Sequence, residues 1–403
     1  MEHTKVKLGD ILTSISETIS REQQTAIFLN TSDISEGKFL HKKSSVVQEL
    51  PGQAKKKIKN GDILFSEIRP KNKRYAVVNV SNPNDYVVST KLMVLRIKAP
   101  SKYYLQYIYQ KLISQKMLHQ INEIAESRSG TFPQITFDAI KNIELNLPSL
   151  EEQKRIADIL TSLDDKIELN NQMNQTLEEI ASLLYKRWFV DFEFPDDKGK
   201  PYKSSGGEMV DSELGMIPKG WEVKSLTEVA KFVNGLAMQK FRPQINEESL
   251  PVLKIKELIS NSVSKSTERC KKNIKDEVKV FDGDVIFSWS GTLTVKIWTG
   301  GNVGLNQHLY KVSSSIYPKW LYYLIVLYNL NNFKSIASDK ATTMGHINRN
   351  HLEKTYFTIP QIKIINKEYT YMKTLIDKII ENKVSIKYLQ ETKEKLMLDI
   401  IKI

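Results

Sequence analysis

The chain repeats itself, and that constrains its fold more than any other feature of the sequence. Gly61-Asp62-Ile63-Leu64-Phe65-Ser66 returns as Gly283-Asp284-Val285-Ile286-Phe287-Ser288, an offset of 222. Lys102-Tyr103-Tyr104-Leu105 returns as Lys319-Trp320-Leu321-Tyr322 at offset 217, and Leu147-Pro148 as Ile359-Pro360 at 212. Leu163-Asp164-Asp165-Lys166-Ile167 matches Leu375-Ile376-Asp377-Lys378-Ile379, again at 212. Matches in one order, with offsets drifting by a few residues, describe a duplicated unit whose loops have changed length. The 403 residues suffice for two such units, each with its own core.

Each copy reads the same way. Short β-rich runs between turn residues come first, 62–65, 75–80 and 86–97 in copy one. A short helix follows, over 103–125 in the first copy and 319–337 in the second, and a proline then marks entry to a long amphipathic helix. The first long helix spans about 151–188, with Ser149 as N-cap and Glu151 and Glu152 favourable in its opening turn; the second runs from about 366 to the C-terminus. Both fit a heptad. Ile156, Leu163, Asn170, Leu177 and Leu184 interleave with Leu160, Ile167, Asn174, Ala181 and Trp188. Leu375, Asn382, Leu389 and Leu396 interleave with Met372, Ile379, Ile386, Lys393 and Ile400. Such spacing makes a coiled-coil seam, and Asn170 and Asn382, at equivalent positions, are polar residues that fix its register. The plainer alternative is that each helix packs only on its own domain, but about 33 residues rise about 50 Å, more than one domain needs. The expected fold is α+β: two mixed α/β domains (1–149 and 221–362), long helices over 150–195 and 363–403 forming an antiparallel coiled coil, and a connector over 196–220.

Composition narrows the function. The net charge is +12 and the isoelectric point about 9.3, which calls for an anionic partner. The charge is uneven: +8 over 1–150, −5 over 151–200, +6 over 201–350 and +3 over 351–403. Two basic blocks around an acidic one face different partners. The single cysteine, Cys270, excludes a disulfide framework and thiolate zinc clusters. The longest strongly apolar run, Trp320 to Leu327, is far too short to span a membrane, and the first residues lack a secretory signal, so the cytoplasm is the expected location.

Catalytic patterns are missing. Gly300-Gly301-Asn302-Val303-Gly304 lacks the lysine of a phosphate-binding loop. Asn82-Pro83-Asn84-Asp85 lacks the second proline and the aromatic of the methyltransferase loop it begins like, and reads as a turn. His346 and His351 are five apart, wrong for two ligands on one helical face, and the acids near Glu67-Ile68-Arg69 form no convincing metal-nuclease cluster. Basic and aromatic residues carry more signal. Lys55, Lys57, Arg69, Lys71, Lys73 and Arg74 flank the Gly61-Asp62 strand, and Lys254, Lys256, Lys271, Lys272, Trp289, Ser290 and Lys296 lie around its second copy. Any one lysine is most often a solvated surface charge; recurrence around the same strand points to DNA phosphates, with polar neighbours reaching base edges. Arg128, Ser129 and Thr131 form a further candidate loop, whose counterpart Ala341-Thr342-Thr343 reads equally well as a connector.

Three blocks carry a resemblance. Pro148-Ser149-Leu150-Glu151-Glu152-Gln153-Lys154-Arg155-Ile156-Ala157 with Leu163-Asp164-Asp165-Lys166-Ile167, then Arg187-Trp188-Phe189-Val190-Asp191-Phe192-Glu193-Phe194-Pro195, then Leu214-Gly215-Met216-Ile217-Pro218-Lys219-Gly220-Trp221, together resemble type I restriction-modification specificity (S) subunits over essentially the whole chain. The second copy departs from that pattern after Pro360, where Gln361-Ile362-Lys363 replaces the acidic helix entry. The resemblance implies a non-catalytic subunit with two target recognition domains, each reading one part of a split DNA sequence, and two helices that set the gap. It implies as partners double-stranded DNA, two methyltransferase subunits carrying S-adenosylmethionine, and restriction subunits that use ATP and magnesium, with no cofactor or metal on this chain. Phe189, Phe192 and Phe194 are candidate anchors for the methyltransferase subunits, or else core residues of this chain. The alternatives from other classes are an enzyme that modifies DNA by itself, and a helical scaffold without a DNA role.

Overall fold

A computed structural model of the chain describes residues 3–20, 23–127, 133–339 and 346–402. The chain forms two compact units, Met1–Asp165 with Thr392–Ile403, and Lys166–Glu391. In the first, Thr4–Lys7 pairs antiparallel with Glu144–Leu147. One four-stranded antiparallel sheet has the order Leu12–Ile15, Leu92–Ile97, Ile63–Ser66, Tyr75–Val77. A second has the order Ser44–Val46, Thr25–Leu29, Tyr86–Ser89, Ala54–Lys56, its middle pair parallel.

The second unit repeats these three sheets strand for strand. Trp221–Ser225 pairs with Tyr356–Pro360. One sheet runs Lys231–Asn234, Leu309–Ser313, Val285–Ser288, Thr294–Ile297. The other runs Arg269–Lys271, Ser249–Leu253, Val303–Leu305, Lys279–Val280, again with a parallel middle pair. The repeat read in the sequence is thus a repeat of topology.

The strand that carries the repeated motif is buried on both faces, which is why it reads as an unbroken apolar run. Ile63 and Phe65 face one core and Leu64 the other; Val285 and Phe287, against Ile286, do the same in the second unit. The turn before it needs glycine, because Gly61 and Gly283 sit at φ 89° and 94°. The aspartate that follows closes the turn: Lys59 N donates to Asp62 Oδ2 at 2.7 Å, and Phe281 N to Asp284 Oδ2 at 2.9 Å. Each carboxylate also meets a cation of the adjacent strand, Arg96 Nε at 2.7 Å and Lys311 Nζ at 2.8 Å.

Several elements differ from the sequence expectation. The 86–97 run is two strands, because Thr90 and Lys91 turn the chain between Tyr86–Ser89 and Leu92–Ile97. The 103–125 helix is two, Leu105–Leu112 and Gln115–Glu126; the Ser114 hydroxyl accepts from Met117 N at 3.3 Å and caps the second. The 319–337 helix also breaks, into Lys319–Tyr328 and Leu330–Asp339. The second long helix starts at Thr370, after a short helix Ile362–Glu368.

The first long helix is Leu150–Tyr185, and Ser149 is its N-cap, with Glu152 N donating to Ser149 Oγ at 3.3 Å. Gln153, 2% exposed, anchors this entry by accepting from Tyr104 N and donating to the Pro148 carbonyl, both at 3.0 Å. Of the seam residues whose burial is described, none is exposed. In the first unit Ile156 and Leu160 join the core, Leu163 is half-buried, and Asp164 accepts from Lys393 Nζ at 2.6 Å. In the second unit Leu177, Leu184, Leu375 and Ile379 pack in the core, and Ile167, Ile386 and Leu389 are half-buried. Asn170, Asn174 and Asn382 are buried, Asn170 Nδ2 donates to Ser385 Oγ at 3.3 Å, and Glu178 accepts from Lys383 Nζ at 2.7 Å. Higher numbers on one helix meet lower numbers on the other: the helices pair antiparallel.

Candidate nucleic-acid interface

The repeated strand ends in a junction that both units build with the same bonds. In the first, the Ser66 hydroxyl donates to the Ile68 carbonyl at 2.9 Å, Glu67 N to Lys91 O at 2.9 Å, and Ile135 N to Glu67 O at 2.8 Å. Ile68 bridges to Gln134. In the second, the Ser288 hydroxyl donates to Ser290 O at 3.2 Å, Trp289 N to His308 O at 3.4 Å, and Ile347 N to Trp289 O at 2.8 Å. There Ser290 bridges to His346. Three chain segments far apart in sequence are thereby fixed at one point.

In the first unit part of the expected basic set follows the junction directly in the chain. Beyond Glu67 the chain makes a tight turn, Pro70–Asn72, between Arg69 at φ 48° and Lys73 at φ 55°. Two non-glycine residues held left-handed are strained by roughly 1 kcal/mol or more each, as at many functional turns. Arg69, Lys71 and Lys73 are exposed there; Lys73 lies 3.5 Å from Glu36, and Arg74, half-buried, donates to Thr31 Oγ1 at 3.2 Å. On and just after the 54–56 strand, Lys55 is exposed and Lys57 half-buried. Between these two, Lys56 Nζ donates to Leu92 O at 2.8 Å and lies 4.0 Å from Glu67 Oε1. Burial pushes the Lys56 ammonium below its ordinary pKa and the Glu67 carboxyl above its own. Neither ion pair nor hydrogen bond engages the side chains of Lys55, Lys57 or Lys71 among the described residues.

The second unit is arranged differently. Lys254 is ion-paired with Glu268, Lys272 with Glu248 at 3.0 Å, and Lys271 lies 3.6 Å from Glu247. Lys296, expected to approach DNA, is half-buried: its ammonium donates to Ile259 O at 2.6 Å, and burial lowers its pKa. Lys256 is exposed, and the Ile255 beside it packs near Gly291 of the hairpin loop. Trp289 is half-buried, its indole N–H donating to Asn234 Oδ1 at 3.2 Å and its ring 5.9 Å from those of His308 and Tyr310. Ser290, 8% exposed, shares a 3.0 Å hydrogen bond with His308 Nδ1. Asn234 and Tyr310 also line a cavity of about 500 Å³ beside it. Arg128, Ser129 and Thr131 lie outside the described residues, as do Ala341, Thr342 and Thr343. Among the described residues no three His, Cys, Asp or Glu side chains gather as a metal site, and no helix is long and apolar enough to cross a membrane.

The family model for the type I restriction modification DNA specificity domain matches this chain twice, over residues 2–179 and 218–388, one match for each copy of the repeat. The chain belongs to the type I restriction-modification specificity-subunit family. The HindI specificity subunit of Haemophilus influenzae is 31% identical over 450 residues, covering 97% of this chain and 96% of that protein. The MjaIX specificity subunit of Methanocaldococcus jannaschii is 29% identical, over 72% of this chain and 67% of that protein. Among solved structures, the type I S subunit from M. genitalium matches 98% of this chain and 95% of its own with a TM-score of 0.58; at 11% identity this likeness is one of fold.

Within this specificity subunit Phe189 is buried in the chain's own core, and Phe192 and Phe194 are half-buried and pack against it. After Tyr185 a π-helical turn, Lys186–Val190, rotates the chain by one extra residue and drives Phe189 inward to 3% exposure. Its ring stacks on Tyr185 at 5.3 Å and meets Trp221 at 5.5 Å. Phe194 stacks on Trp221 at 5.1 Å, and Phe192 meets that indole edge-on at 5.7 Å. Sequence reading missed Lys91, Gln134 and His308 altogether and weighed Glu67 and His346 only as metal ligands. The repeat held the signal: each stands at one of the three repeat offsets from its counterpart.

Proposed function

We propose that this subunit reads a two-part DNA target, one part with each unit, and contributes no catalytic residue of its own. Chemistry is supplied by partners: methyltransferase subunits that carry S-adenosylmethionine and methylate adenine, and restriction subunits that use ATP and magnesium to make the complex a site-specific endonuclease. The paired long helices join the two reading units, and the complex works in the cytoplasm. The observation that carries this reading is the duplicated topology, three sheets in the same strand order, each copy matching the DNA specificity domain. Tandem copies of one reading unit suit the dyad of duplex DNA and a target split in two. In the first unit, exposed cations around a fixed junction provide phosphate contacts beside groups able to reach base edges. Single-molecule sequencing of host DNA with and without the gene tests this. Loss of methylation at one split motif is expected on deletion; an unchanged methylation pattern contradicts it.

A further inference from the structure

The junction at the end of the repeated strand keeps its backbone in both units and changes its side chains. Glu67, Lys91 and Gln134 stand in the first where Trp289, His308 and His346 stand in the second, fixed by matching backbone bonds. The correspondence follows the drift of the repeat: 67 to 289 at offset 222, 91 to 308 at 217, 134 to 346 at 212. Around each trio the scaffold is held constant: the serine that braces the turn, the buried strand and the sheet order. A duplicated domain that preserves its scaffold and replaces three side chains at one point has changed what that point touches.

The two sets differ in hydrogen-bonding chemistry. A carboxylate accepts from the cytosine amine, an ammonium donates to guanine O6 and N7, and an amide pairs with adenine. An indole face and two imidazoles instead offer apolar contact to a thymine methyl and a neutral donor or acceptor. Gln134, His308 and His346 are exposed, while Glu67, Lys91 and Trp289 are half-buried and held in place. In the first unit Lys56 lies 4.0 Å from Glu67, and the Arg69–Lys73 turn begins two residues beyond it. Exposed Lys71 and Lys73 on that turn thus stand beside the trio, where phosphate-binding cations would be expected.

We infer that these equivalent trios set base specificity, Glu67, Lys91 and Gln134 for one half of the target and Trp289, His308 and His346 for the other. The inference rests on the DNA-reading function proposed above. Its test uses the full chain in the assembled methylating complex, with methylated sites read by sequencing. Exchanging the first trio for the second (Glu67→Trp, Lys91→His, Gln134→His) is expected to alter bases in one half of the motif only; the reciprocal exchange alters the opposite half. Because Glu67 packs against Lys56, two milder variants are added at exposed positions, Gln134→Ala and His346→Ala, the second also removing an edge-on ring contact of 6.3 Å with Trp289. Each is expected to lower discrimination against a single-mismatch duplex about tenfold at one position, in competition binding, with unchanged thermal unfolding. An unaltered motif in both exchanges, with unaltered discrimination in both alanine variants, overturns the inference. So does an equal loss of affinity for every duplex, the signature of phosphate contacts. Failure of the DNA-reading function itself looks different: the wild-type complex then methylates no motif that depends on this chain.

Discussion

Asp62 is fully buried, and it survives there because three donors meet its two carboxylate oxygens: Arg96 Nε and Nη2 at 2.7 and 2.9 Å, and Lys59 N at 2.7 Å. Asp62→Ala leaves the guanidinium and the turn amide unmatched, and is expected to lower stability by about 2–3 kcal/mol in urea unfolding, toward the low end for buried pairs because Arg96 remains 27% exposed. Glu228 works through a cap. Its carboxylate accepts from Ser225 N at 2.6 Å, and that amide with the Ser225 hydroxyl holds its pKa below the ordinary 4.5. The folded value lies below the unfolded one, so this stabilisation is present above pH 4.5 and lost as pH falls through the folded value. Glu228→Gln is therefore expected to flatten the acid limb of stability against pH; an identical limb in the variant contradicts the assignment. Lys71, exposed on the strained turn, carries a charge available to phosphate. Lys71→Ala is expected to weaken binding to all duplexes alike and to reduce the slope of log K against log salt by about 1, without changing the target.

Elements show why some of the fold was legible and some was not. The long helices were legible because their heptads run for many turns, and the described seam residues are all buried or half-buried. The breaks inside shorter elements were not, because single residues decide them: the Ser114 cap splits one helix, and the turn at Thr90 and Lys91 splits one strand. Phe189 was ambiguous for another reason, since an apolar residue reads the same whether it faces a partner or its own core. Phe189→Ala is expected to cost about 3–5 kcal/mol of the second unit's stability, measured by denaturant unfolding of the chain alone. Stability unchanged while only complex assembly suffers contradicts that placement. The seam asparagines behave oppositely: Asn170 is 3% exposed with one hydrogen bond, to Ser385. Asn170→Leu is expected to raise the unfolding midpoint while loosening register, read as disulfide trapping between cysteines placed one heptad out of step along the two helices.

For the whole molecule, the repeat and the uneven charge carried most of what the sequence revealed: two similar units, each with an excess of cations around the same strand. What that reading lacked was which cations are already engaged. Lys254, Lys272 and Lys296 look like Lys71 in a sequence, yet two are ion-paired and one donates to a backbone carbonyl. The junction was hidden because its members lie 24 and 43 residues apart, joined only by sheet topology. The central claim is that each unit reads its own half of the target. Replacing residues 1–149 by the matching domain of a relative with a different target, and sequencing the methylated sites of the resulting strain, tests that claim directly. The account requires a hybrid motif in which one half comes from the donor and the other is unchanged; the original motif intact, or both halves altered together, contradicts it.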